Sequence, residues 1–294
     1  MYAQIFSIIA PIFLIAALGY GWSFLRLRYD GRFISRIVMD VGAPCLIVAS
    51  IHKTRLPADD VLQMGLITIT GLALLFAGNL LLLRWRGLSL RTYLGPLSFA
   101  NTGNMGVPIC LFAFGEQAMA LALVLFMTTS IFHFSIGVAL AGSRNALHAL
   151  LTSPVFYAAL LSMLLVVTGW QLPPALFNTI ELLGGIAIPL MLFSLGASLQ
   201  SIRAHAFVRS TVLALWRLLA GFAVGLLLCW LFELDGVLAG VVIIQSSMPS
   251  AVFNYLLALS YDRQPGEVAG IVVLSTLLSF ASLPLLLWFV LQGV

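Results

Sequence analysis

Charged side chains are scarce in this chain: 8% of its 294 residues, against about 25% in soluble domains. With 62% hydrophobic residues and a mean hydropathy of +1.11, too few polar groups remain to cover a water-facing surface, whereas lipid accepts an apolar one. Cysteine is scarce too. Cys45, Cys110 and Cys229 are an odd set inside apolar runs, form neither a disulfide framework nor a metal-ligand spacing, and read as small core residues. The chain lacks a basic helix or patch, which excludes a nucleic-acid partner. It lacks a GxxxxGK[ST] loop, so ATP is not its energy source, and it lacks GxSG, HExxH and paired GxGD-type aspartates, which argues against an intramembrane enzyme.

What is present is a series of apolar runs. A spanning helix needs roughly 20 apolar residues, and that ruler places segments at 3–25, 33–51, 60–83, 93–113, 117–141, 148–170, 174–199, 207–232, 236–260 and 267–292. The expectation is an all-α polytopic membrane protein of ten transmembrane helices. Connections are too short for an inserted soluble or signalling domain. The first run has no basic leader and no clear cleavage site, so it reads as a retained helix.

Arginine sets the expected orientation, because cytoplasmic loops collect basic residues. Loops after the odd-numbered helices carry Arg26, Arg28, Arg32, Arg36, Arg84, Arg86, Arg91, Arg144, Arg203, Arg209 and Arg263, and the opposite side carries only Lys53 and Arg55. This places both termini outside (periplasmic) and the chain in a bacterial cytoplasmic membrane, in contact with the lipid bilayer.

The chain divides near Gly142–Ala146 into five helices at 1–142 and five at 148–294. Helix two reads "DVGAPCLIVASI" and helix seven "GGIAIPLMLFSLGASL", with Pro44 and Pro189 in matching places. Helix four carries Pro108 and helix nine Pro249; helices five and ten share "MTTSIF" and "LSTLLSF". Five is odd, so the second half crosses the membrane in the opposite sense: two inverted five-helix repeats, with a binding site near the midplane where interrupted helices meet.

Helices four and nine hold the polar residues. "SFANTGNMGVPICLF" contributes Ser98, Asn101, Thr102, Asn104, Gly106 and Pro108; "IIQSSMPSAVFNYLL" contributes Gln245, Ser246, Ser247, Pro249, Ser250 and Asn254. Proline has no N–H, so the carbonyls of Asn104 and Gln245 lose their helical partners. Unpaired backbone in hydrocarbon survives only where protein, water or a ligand supplies partners. Asn101 and Asn104, three apart, are expected on one side with Ser98, and the first N–H groups of a resumed helix suit an anion. The plainer reading is that these groups only tie helices together, at about 1 kcal/mol each.

These two motifs resemble the auxin efflux carrier family, which includes plant PIN-type carriers and bacterial permeases for organic acids such as malate and malonate. The resemblance covers all ten helices. It implies broken crossover helices four and nine crossing at the substrate site, and a scaffold of helices one, two, six and seven, often dimeric. Against that scaffold helices three to five and eight to ten would move as an elevator. Carried onto this chain, it puts the crossing at Pro108 and Pro249 and the polar ligands at Asn101, Asn104 and 245–250.

Four ionisable residues fall within the spans, where charge is costly and often functional. Arg217 is either a counter-ion for an acidic substrate or a structural partner for Asp40, Glu181 or a helix C-terminus. Asp40 and Glu181 would carry a coupling proton if buried. His133 either titrates or packs with one hydrogen bond. The broken centres contain no carboxylate, which weakens a sodium site, although carbonyls and amides can bind an ion. Trp22, Trp170, Trp230 and Trp288 read as interfacial anchors. The expected function is secondary transport of a small organic anion, with no cofactor beyond a possible coupling H⁺ or Na⁺. The alternatives are a carrier of a bile-acid-like or neutral solute, and a channel.

Overall fold

The computed structural model describes residues 2–25, 28, 30–142, 145–201 and 207–293; Arg26, Arg144 and Arg203, on which the orientation partly rests, lie outside the described residues. Helix α1 (Tyr2–Phe24) is followed by α2 (Gly31–Ile37), which runs through a π turn into α3 (Ala43–Thr54). Next come the 28-residue α4 (Ala58–Trp85), α5 (Leu90–Ser98), and α6 (Val107–Phe114), which is entered through a π turn at Thr102–Gly106. Helix α7 (Glu116–Phe132) continues through a third π turn, His133–Gly137, into α8 (Val138–Ala141). The second half holds α9 (Ala146–Leu151), α10 (Pro154–Thr168), α11 (Pro174–Gly185), α12 (Ala187–Ser201), α13 (Phe207–Leu231), α14 (Gly236–Ser246), α15 (Val252–Ser260) and α16 (Pro265–Gly293).

Six helical stretches among the described residues are long and apolar enough to cross a bilayer: Ile5–Phe24, Ala58–Trp85, Glu116–Ala141, Pro174–Ala197, Phe207–Leu231 and Pro265–Gln292. At about 1.5 Å per residue the 28 residues of α4 reach about 42 Å, more than the hydrocarbon thickness. Shorter apolar helices at Thr102–Phe114, Pro154–Thr168 and Gly236–Ser246 accompany them. Large apolar side chains are bare on the outside, Leu182 at 78% and Val208 at 77% exposed among them, which suits a surface solvated by lipid. Trp22, Trp170, Trp230 and Trp288 are exposed as well.

Proline accounts for two of the π turns. In "VGAP" and "MGVP" the proline has no N–H to return to the carbonyl four residues back. The residue before it donates instead across a wider turn, Ala43 N–H to Val38 O and Val107 N–H to Thr102 O. One extra residue per turn keeps the backbone paired without ending the helix. The third π turn contains no proline, and its sequence gives no such cause.

Small residues then let helices touch. A Cβ on Gly196 would stand 1.7 Å from the Ala16 carbonyl, and one on Gly19 would stand 2.0 Å from the Phe193 carbonyl. Thus α1 and α12 pack backbone to backbone, the arrangement small residues permit in membranes. Packing sorts the helices into two groups. Helix α1 lies on α12, and α3 on α10 and α11; separately, α4 and α6 lie on α7, α13 on α14 and α16, and α15 on α16. The groups touch where α1 meets α6, α3 and α10 meet α7, and α12 meets the Thr102–Gly106 turn.

Candidate functional site

The chain leaves helix between the short helices α5 and α6, after Ser98, and between α14 and α15, after Ser246, and the two breaks lie against each other. Ala100 and Ser250 form an antiparallel bridge. In it Asn101 N–H donates to Pro249 O at 2.7 Å, and Ala251 N–H to Phe99 O at 3.1 Å. Backbone that neither helix satisfies is therefore satisfied by the other break, as a buried polar backbone requires.

Side chains complete the pairing. Asn254 Nδ2 donates to Phe99 O and to Ser250 Oγ, both at 3.1 Å. Its Oδ1 must then accept, so the hydrogen in the 2.9 Å contact with His133 belongs to His133 Nε2. The His133 ring stacks on Phe99 at 4.1 Å between centroids and meets Phe253 edge-on at 5.1 Å. Ser250 N–H donates to Ser275 Oγ at 3.1 Å. Gln245 O, whose usual donor would be the nitrogen of Pro249, accepts from Met248 N–H at 3.4 Å, and Ser246 O accepts from Arg217 Nη2 at 3.0 Å.

A cavity of about 120 Å³ opens beside this pairing. Its walls are 100–104, the α7 residues Thr129 and Ser130, His133, 251–253, and, from the other helix group, Val38, Met39, Met191 and Ser194. The π turn that leads into α6 and the first residues of α15 both line this cavity, and a helix start carries free N–H groups and the positive end of the dipole. Asn101 Nδ2 and Ser194 Oγ are buried with no hydrogen-bond partner among the described residues. Each therefore lacks a partner that a polar ligand or water can supply.

The expected site residues divide between three places. Asn101, Thr102 and Asn104 line this cavity. Ser98 does not join them, because the chain turns extended at Phe99 and the helical spacing that aligned them is lost; Ser98 Oγ accepts from Asn79 Nδ2 at 3.1 Å instead. Ser98, Gln245, Ser246 and Arg217 line a second, smaller cavity on the other side of Ala100 and Thr102. Ser250 and Asn254 hold the breaks together, and Ser247 Oγ returns to Ile243 O at 2.7 Å. Pro249 lies in its break, whereas Pro108 sits in α6 behind the π turn, so the first interruption precedes its proline by several residues. Gly106 faces the Gln245 amide, which a Cβ there would meet at 2.2 Å.

The ionisable residues are not together. Arg217 is fully buried and bonds a helix C-terminus, with neither Asp40 nor Glu181 as partner. Asp40 and Glu181 are exposed on the protein surface. Glu181 Oε1 lies 3.3 Å from Lys53 Nζ, which also meets Glu116 Oε1 at 3.0 Å. Sequence reasoning missed Ser194, Thr129, Ser130 and Ser275 as site residues. All four stand in the repeated stretches "LFSLGASL", "MTTSIF" and "LSTLLSF", where symmetry drew attention and side-chain chemistry did not.

A multi-pass helical protein with a cavity at two interlocked helix breaks is a membrane transport protein in class. The family described as "Membrane transport protein" matches residues 140–287, and the chain belongs to it, the auxin efflux carrier family. It is 28% identical to an uncharacterized transporter of Methanothermobacter thermautotrophicus, over 94% of this chain and 95% of that one. It is 25% identical to an uncharacterized transporter of Methanocaldococcus jannaschii, over 87% and 88% of the two chains. The protein is a transporter and not an enzyme.

Proposed function

We propose that the protein is a secondary carrier of a small organic anion, a carboxylate, and that the substrate binds in the 120 Å³ cavity. The observation that carries this reading is the meeting of two resumed-helix N-termini at one wall, beside the unpartnered Asn101 Nδ2 and Ser194 Oγ. N–H groups, amide and hydroxyl donors replace the hydration of a carboxylate, and dipole ends offset its charge. A space of about 120 Å³ has room for several waters, which suits a small acid. A neutral polar solute is the second reading, favoured because the cavity walls carry no Lys or Arg.

Ten crossings result if 33–51, 90–114, 154–168 and 236–260 each count as one beside the six long stretches. Inverted five-helix repeats at 1–142 and 148–294 and both termini outside the cytoplasmic membrane complete the reading. The cavity lies where the two helix groups touch, a position that suits an elevator in which the group holding both breaks moves against α1–α3 and α9–α12. The same fixed group would carry a homodimer contact. No resident cofactor is assigned, and any coupling uses H⁺ or Na⁺.

Thermal unfolding of the purified protein with small carboxylates, indole acids, neutral amino acids and bile salts, at two pH values and with or without sodium, tests this. A binder in excess raises stability by about RT ln(1 + [L]/Kd). Stabilisation by small carboxylates that Asn101→Ala removes is expected; stabilisation by neutral solutes alone overturns the anion reading. Counterflow in vesicles separates a carrier from a channel.

A further inference from the structure

Arg217 is fully buried, in a helix long and apolar enough to cross a bilayer. Among the described residues no carboxylate lies within ion-pair distance of it. Its Nη2 donates to Ser246 O at the C-terminus of α14, a pole worth about half a negative charge. Among the described residues nothing balances the other half, and Nε and Nη1 have no hydrogen-bond partner. An unpaired charge at this depth is a large expense for the fold.

The guanidinium borders the second cavity, of about 30 Å³, between α4, α7, α13 and α14. Gln245 lines it too, fully buried, with no nitrogen or oxygen partner for Nε2 or Oε1; the neighbouring Cys110 thiol is only a weak one. None of the lining residues is acidic. A guanidinium with two unpartnered nitrogens and an amide with only a weak thiol partner thus belong to residues that border one small space.

We propose that this cavity binds a single monatomic anion, a halide of chloride type, held by Nε and Nη1 of Arg217 and Nε2 of Gln245. A space of about 30 Å³ admits a monatomic anion, since about 10–15 Å³ on this measure already holds a water. Water fits but brings no charge. The halide site is separate from the carboxylate cavity and does not depend on the substrate reading: Ala100, Thr102 and Thr129 form the wall between the two. A bound halide would neutralise the α13 side of the crossing while leaving the substrate side open.

The test uses the full chain in detergent, unfolded thermally in sodium chloride, bromide or gluconate at equal ionic strength. A saturable rise in melting temperature with chloride and bromide over gluconate is expected, retained in Asn101→Ala and abolished in Arg217→Met. Gln245→Leu should raise the half-saturating chloride about tenfold, the worth of one charge-assisted hydrogen bond. Should Arg217→Met not fold, bromide anomalous diffraction on the unmodified protein decides: a peak beside Arg217 supports the site. Identical unfolding in chloride and gluconate, or a bromide peak only elsewhere, overturns it.

Discussion

Asn254 and Phe99 are 155 residues apart in sequence, yet the amide of one donates to the carbonyl of the other at 3.1 Å. Because Asn254 also bonds Ser250 Oγ and His133 Nε2, one side chain ties both helix breaks to α7. Asn254→Leu should therefore lower stability by about 2–4 kcal/mol, a few orphaned buried groups at about 1–3 each partly compensated by water. It should also abolish transport. Thermal unfolding beside proteoliposome uptake reads both, and an unchanged melting temperature would remove Asn254 from this role.

Asn101→Ala should behave in the opposite way. Its Nδ2 has no partner, so truncation leaves the melting temperature of the ligand-free protein nearly unchanged while ligand stabilisation and uptake disappear. Ser194→Ala, across the cavity, should do the same more weakly. A large loss of stability in either variant, without ligand, would mark the group as structural.

The α1–α12 seam makes its own forecast. Gly196→Ala places a Cβ 1.7 Å from a backbone oxygen and should cost at least about 1–3 kcal/mol, as overpacking does. Gly21→Ala, in the same seam's α1 but with nothing within 4 Å, should be neutral or gain up to about 1 kcal/mol from helix propensity. Unfolding the two variants side by side separates close packing from a general effect of removing glycine.

Lys53, at the polar end of α3, links that end to Glu116 of α7 and Glu181 of α11. Hydrogen bonds to Glu116, then Glu181, hold its ammonium above the ordinary 10.5. A raised pKa means that the contribution is complete below the unfolded value and fades as pH climbs through the folded one. The side chains are about half exposed, so Lys53→Met should lose at most about 1 kcal/mol. The gap between variant and unmodified protein should stay level from neutral pH to about 10 and close above it, measured by unfolding across pH.

Composition made the membrane class legible, and the two polar motifs pointed to the transporter family by resemblance and to the breaks. Helical spacing could not say which polar residues share a cavity, because the chain is out of helix at 99–101 and π turns shift the register of the residues beyond them. That is why Ser98 left the company of Asn101. Proline marked both regions but only Pro249 sits in its break, since a π turn absorbs the defect of Pro108. Arg217 was legible as a charge in a span with a helix C-terminus among its expected partners; which of those partners it takes was not, because a backbone carbonyl freed by a helix end leaves no mark in residue type.

The bridge between Ala100 and Ser250 has a consequence for how substrate preference can diversify. Two hydrogen bonds fix the spacing of the helix starts, so those jaws cannot spread to admit a larger guest. Adjustment falls to the facing wall, where Met39 and Met191 present pliable thioether side chains from the other helix group. The asparagine motif would then serve any member that carries the same kind of head group, while the two methionines set how long a tail can extend from it.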